Sequence, residues 1–176
     1  MAPSDAALAA HGLAAGEHVV LHMGARHAIN RWPAEHFLEL AERLLAETRF
    51  TVVIFSADLA ERVPPALRDN PRVRFLDVIE PDAFDAIVST ARALVGNDSG
   101  PKHLAAARGV PTVSLHVDRL NWNEWGQEGR GTILSKRVPC AGCGLNDIQL
   151  CGRDAVCVRS IGVDEVIAAI HRLLEG

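Results

Sequence analysis

The chain has 176 residues, 48% hydrophobic and 23% charged, with a formal net charge of −4. That is enough apolar residue for one self-burying core, it excludes a disordered tail, and the acidic balance without a basic stripe excludes nucleic acid as a partner. No apolar run approaches the roughly 20 residues needed to cross a bilayer, and residues 1–15 lack the basic flank and apolar core of a signal peptide, so the cytoplasm is the expected location.

Residues 1–18 read as the remnant of an interdomain linker, and residues 19–176 as a single domain. Apolar runs then alternate with helical periodicity, the pattern of a parallel sheet with helices on both faces. Residues 18–23 form an apolar, β-rich run that stops at Gly24. After Pro33, Phe37, Leu38, Ala41, Leu44 and Leu45 recur at helical spacing to about Glu47. Residues 51–55 predict a second strand, 58–67 a short helix interrupted by Pro64 and Pro65, and 73–76 a third strand. Phe84, Ile87, Val88 and Ala91 give another helical face. Residues 93–95 then predict a strand that runs into Gly96-Asn97-Asp98-Ser99-Gly100. A helix over 102–108, strands over 111–116 and 132–134, and a closing amphipathic helix over 163–174 complete the α/β pattern.

A strand that ends in small and polar residues and opens a helix places unpaired backbone N–H groups at the carboxyl edge of the sheet, where anions bind. Asp98 or Ser99 can cap that helix, Gly100 admits a ligand to the backbone, and Pro101 suits a first turn that needs no N–H partner. His103, one turn in, can donate to a phosphate or a sugar hydroxyl. A capped helix with a glycine bend and a surface histidine satisfies the same spacing.

The run from Gly96 through Asn97-Asp98-Ser99-Gly100-Pro101-Lys102-His103 to Ala107, followed by Gly109-Val110-Pro111-Thr112, resembles the Asp-Ser/Thr-Gly-x-x-His signature of the heptosyltransferase family, glycosyltransferase family 9. The resemblance implies a Rossmann-like fold, the carboxyl-terminal half of a GT-B glycosyltransferase, in which the backbone at Ser99-Gly100 holds the diphosphate of a nucleotide sugar and Asp98 and His103 lie against sugar and phosphates. Lys102 stands where the family often has an apolar residue, and its role is left open.

A first loop leaving the same sheet edge offers Arg26 and Arg31 as phosphate cations. His22-Met23-Gly24-Ala25-Arg26 and Arg31-Trp32-Pro33 resemble the family's first loop, with Asn30 standing where the family usually supplies a phosphate-binding lysine. Trp32 reads as a core anchor and His22 as a structural histidine. Ser56-Ala57-Asp58 with Glu61 falls where the family places an acidic contact to the nucleoside; a helix-start charge is the other reading. Residues 116–125 depart from the family's turn after this strand, which puts base and sugar preference in play.

All four cysteines fall between Cys140 and Cys157. Cys140-Ala141-Gly142-Cys143, then Cys151 and Cys157, fits a structural zinc or iron site, disulfides, or free thiols; four protein ligands would leave no open position for chemistry. Some family members carry a cysteine-bound metal in this region.

The resemblance implies the donor-binding domain of an inverting enzyme, taking a heptose-like sugar from a nucleotide such as ADP-heptose. Its acceptor, a lipopolysaccharide, another cell-surface glycan or a protein, would be held with the catalytic base on a missing amino-terminal domain. It also implies no cofactor for the chemistry, inactivity of this chain alone, and peripheral association of the full enzyme with the inner face of the cell membrane. A non-catalytic nucleotide- or metal-binding module is the rival expectation, and a redox or metal sensor built on the cysteines a third.

Overall fold

The computed structural model describes residues 3–56, 63–118 and 130–175. In chain order the elements are α1 (Pro3–Ala10), β1 (His18–His22), α2 (Ala34–Glu47), β2 (Thr51–Phe55), α3 (Pro65–Arg68), β3 (Val73–Leu76), α4 (Pro81–Ser89), β4 (Ala93–Asn97), α5 (Gly100–Ala107), β5 (Thr112–His116), β6 (Gly131–Ser135), α6 (Val156–Arg159) and α7 (Val163–Glu175). Short 3-10 turns lie at Ala28–Asn30 and Ile148–Leu150.

The six strands pair in parallel in the order β3-β2-β1-β4-β5-β6. This is the doubly wound α/β arrangement expected from the sequence. Strand alternation sends Val19, Leu21, Val52, Ile54 and Val95 to one face, where they pack with Phe37 and Leu44 of α2 and Val166 and Ile170 of α7. Val20, Val53 and Leu94 go to the other, against Leu8, Ile87 of α4 and Ala105 of α5. Both faces are covered, which is why these strands read as continuous apolar runs.

The chain order reverses between β1 and β4: β2 and β3 lie on one side of β1, and β4 and β5 on the other. The loops after β1 and β4 therefore diverge to opposite faces and open a crevice at the carboxyl ends of the strands.

Two differences from the sequence reading stand out. Residues 3–10, expected within a linker remnant, form a helix whose Leu8 is buried against α4, with Leu13 beside it. Its amphipathic signal is weak because a single residue, Leu8, carries most of its packing. The expected helix over 58–67 is seen only as α3, which starts after Pro64, the residue at its N-cap; residues 57–62 lie outside the described part of the chain.

Candidate functional site

The β4–α5 junction forms one lip of the crevice. Ser99 is extended (φ −155°, ψ 170°) at the N-cap of α5, but its side chain makes no cap; Ser99 Oγ donates instead to the Asn97 carbonyl at 3.3 Å. The Ser99 side chain thus leaves the amides at the start of α5 uncapped. Gly100 is exposed, and a Cβ placed on it would meet nothing within 4 Å. This glycine keeps approach space clear; it is not there for a left-handed backbone, since its φ is not positive.

Asp98 lies half-buried at the same junction, and His103 projects from the first turn of α5 into solvent. Partial burial, and next the charge of Lys102, draw the His103 imidazole below its ordinary pKa, so the ring is neutral at physiological pH. Lys102 is not presented to solvent. It is 0% exposed, with Nζ 3.1 Å from Asp98 Oδ1 and 2.8 Å from His116 Nε2 at the end of β5.

The opposite lip is the loop after β1. Arg26 is exposed, with no hydrogen bond or ion pair among the described residues. Arg31 donates from Nε and Nη2 to the Ala25 carbonyl at 3.1 and 2.9 Å, so its guanidinium holds the loop's own backbone. Asn30, in the 3-10 turn, is only 5% exposed.

Asn97, which the sequence reading passed over, ties the two lips together. Its side chain is fully buried; Oδ1 accepts from the Trp32 amide and Nδ2 donates to the Met23 carbonyl, both at 2.9 Å. An amide is the side chain suited to this post, since it presents one acceptor and two donors at a fixed separation. The signal available in the sequence was a polar residue at the inward-facing end of an otherwise apolar strand. Trp32 is the expected core anchor, with Nε1 donating to the Ile161 carbonyl at 2.9 Å.

Beside the crevice, at the ends of β1 and β2 and below the segment after β3, lies a cavity of about 310 Å³. It is lined by His22, Gly24, Phe55, Ser56, Asp77, Val78, Ile79 and Phe84. The Phe55 and Phe84 rings meet edge to face at 5.0 Å, and His22 stands 6.1 and 6.2 Å from them. His22 Nδ1 is buried without a hydrogen-bond partner, and burial lowers the pKa of the ring. The His22 ring packs against the two phenylalanines as part of the cavity wall.

Glu61 and Asp58, and residues 119–125 of the segment after β5, lie outside the described residues. The four cysteines are free: Cys140 and Cys151 are half-buried, Cys143 exposed and Cys157 buried. Among the described residues no three His, Cys, Asp or Glu side chains gather closely enough to hold a metal ion. The Cys151 sulfur accepts from the Ala155 amide at 3.3 Å, and burial, with a smaller contribution from Cys140, pushes the Cys157 thiol up. The four-thiolate site that the spacing suggested does not fit this arrangement.

The fold and its crevice are those of a Rossmann-like α/β domain. Residues 2–134 match the family model of glycosyltransferase family 9 (heptosyltransferase), and the chain belongs to that family. It is 34% identical over 128 residues to lipopolysaccharide heptosyltransferase 1 of Pseudomonas aeruginosa, covering 71% of this chain and 35% of that protein. Its fold matches Escherichia coli ADP-heptose LPS heptosyltransferase II with a TM-score of 0.73 at 21% identity, over 98% of this chain and 51% of the other. It also matches the iron-containing dodecameric glycosyltransferase TibC of enterotoxigenic E. coli H10407 (TM-score 0.71, 19% identity, 93% of this chain and 47% of that one). The chain thus spans about a third of the length of the curated relative and about half of the solved structures.

Proposed function

We propose that this chain is the donor-binding half of an inverting glycosyltransferase, which takes a heptose-like sugar from a nucleoside diphosphate and passes it to a lipopolysaccharide, another cell-surface glycan or a protein. The observation that carries the reading is the uncapped start of α5, open in front of Gly100 and placed at the β1/β4 switch point within the region that matches the family. An oligoanion laid there meets N–H donors and the positive end of the helix dipole.

The rest of the ligand follows from position. Strands are spaced about 4.8 Å apart, so the aromatic cavity beyond β1 lies one to two spacings, about 5–10 Å, from the amides after β4. A nucleobase in that cavity would pack on Phe55 and Phe84 beside the His22 ring. Asp98 and His103 would face the sugar, and Arg26 the phosphates. ADP-heptose is the expected donor by analogy with the E. coli relative. In the transfer step these amides and cations would stabilise the departing diphosphate, while the base and acceptor come from an amino-terminal domain; this chain alone would bind the donor without turning it over. Among the described residues no helix is long and apolar enough to cross a membrane. Peripheral contact of the whole enzyme with the inner membrane face is part of the same proposal.

Titration calorimetry of the chain with ADP, UDP and ADP-heptose tests this reading. Binding of a nucleoside diphosphate or its sugar ester is expected, with a matching rise in melting temperature; heat-silent mixing with all three would remove the proposal. One observation favours the rival non-catalytic module: the first loop buries Asn30 and ties Arg31 to Ala25, leaving Arg26 as its exposed cation. Binding of ADP with no difference between ADP and ADP-heptose would favour that rival.

A further inference from the structure

A cation in the first turn of a helix lies at the wrong end of the dipole, and a fully buried one costs more still. Lys102 is both. Two acceptors brought together by the sheet help to hold it there. Asp98 comes from the end of β4, four residues before it, and His116 from the end of the adjacent β5, fourteen residues after.

Burial lowers the Lys102 pKa, while the Asp98 carboxylate and its hydrogen bond favour the charged form. As an ammonium Lys102 has only donors, so Nζ donates to Asp98 Oδ1 and to His116 Nε2, and Nε2 then accepts as part of a neutral ring. His116 is 1% exposed, and burial, then the neighbouring Lys102 charge, lower its pKa to about 4. Its Nε2 also lies 3.8 Å from Asp98 Oδ1. All the contacts to the Asp98 carboxylate among the described residues thus fall on Oδ1, while the side chain keeps 25% exposure.

We infer that Lys102, seated on His116, is a positioning residue that balances the Asp98 carboxylate from below. It anchors Oδ1, leaving Oδ2 to accept a hydroxyl of the donor sugar, and it cancels the repulsion between that carboxylate and a diphosphate at the neighbouring amides. The inference rests on the donor-site reading above and gives Lys102 a role distinct from direct phosphate contact. A carboxylate beside a diphosphate needs a counter-charge; Arg31 of the first loop is engaged at Ala25, and among the described residues the ion-pair contacts to Asp98 come from Lys102 and His116 rather than from that loop.

Calorimetry on the 176-residue chain with ADP and ADP-heptose as probes separates the possibilities. Lys102→Met leaves Asp98 unbalanced and is expected to weaken ADP binding about tenfold. Adding Asp98→Asn to Lys102→Met removes both charges and should bring ADP affinity back to within about threefold of the parent chain, a rescue that damaged packing would not show. Asp98→Asn alone should tighten ADP binding by about two- to threefold while abolishing the preference for ADP-heptose over ADP. Parent-like ADP binding by Lys102→Met, or a double variant no tighter than Lys102→Met, overturns the inference while the donor site stands. If Lys102→Met does not fold by circular dichroism, Asp98→Asn decides: weaker ADP binding in that variant overturns the inference. A parent chain that binds neither probe removes the donor-site reading and this inference with it.

Discussion

The two lips of the crevice are built on opposite principles. The β4–α5 lip presents main-chain groups: amides at α5 that Ser99 leaves uncapped, cleared space at Gly100, and beneath them a charge set that includes Asp98, Lys102 and His116. The β1 lip presents side chains on a long loop, and most of its polar capacity is spent inward, on the Arg31–Ala25 clasp and the buried Asn30. Backbone donors fixed by secondary structure lose little entropy when a ligand arrives, whereas a mobile arginine must be ordered at that moment. Anion recognition should therefore reside mainly at α5, with the first loop contributing a modest, salt-sensitive part.

The largest effect should come from cutting the brace between the lips. Asn97→Leu leaves the Trp32 amide and the Met23 carbonyl buried without partners. At 1–3 kcal/mol for each such group, a loss of about 4 kcal/mol and a melting temperature lower by roughly 10 °C are expected. A melt within 2–3 °C of the parent would mean that the lips are held by packing alone.

Next in size is the acid limb of stability. His116 titrates near 4 in the folded chain against 6.5 when free, so between those values the unfolded chain binds the extra proton and folding weakens as pH falls. The shift corresponds to up to about 3 kcal/mol lost between pH 6.5 and pH 4, with none of it felt above about pH 7. His22, also lowered by burial, acts in the same direction. His116→Phe should lower stability at neutral pH, because Lys102 loses an acceptor, yet flatten this limb in urea melts taken from pH 7 to pH 4. An unchanged slope would remove His116 from the α5 lip's charge set.

How far the two lips could be read in the sequence follows the same division. The β4–α5 junction was legible because strand, turn and helix start are contiguous, and residues 96–112 carry the family signature on local spacing alone. The sheet was legible too, since β1 through β6 are β-branched or apolar runs within a residue or two of their expected bounds. What was hidden depends on distant chain. Asn97 reaches Trp32 and Met23 across 65 and 74 residues, and the Lys102–His116 contact exists only because β5 pairs beside β4. The helix at residues 3–10 is invisible locally because Leu8 finds its partners on α4. The cysteines could not be resolved by spacing: among the described residues no three metal-ligating side chains gather, the Cys151 sulfur accepts from the Ala155 amide, and Cys157 is buried in the core.

Smaller again, and confined to binding, is the effect of closing the approach to the α5 amides. Gly100→Val adds a side chain into open space at an ordinary backbone angle, so folding stability should change by less than about 1 kcal/mol. ADP binding should fall by about thirtyfold, because the added methyl groups occupy the path to the N–H groups. Equal losses of stability and affinity would point to a distorted helix start rather than a blocked site.

The smallest effect separates the lips most sharply. Arg26 is an exposed loop cation, and a charge of that kind contributes about 0.5–1 kcal/mol to holding a diphosphate, so Arg26→Ala should weaken ADP binding by only about two- to fivefold. The loss should belong to screening distance: at about 0.5 M salt the Debye length falls to roughly 4 Å, and parent and variant should converge. The remaining affinity, carried by short contacts to fixed amides, should resist salt far better. If Arg26→Ala instead abolished binding at all ionic strengths, the first loop would be the principal anion site, and the α5 amides would be an ordinary helix end beside it.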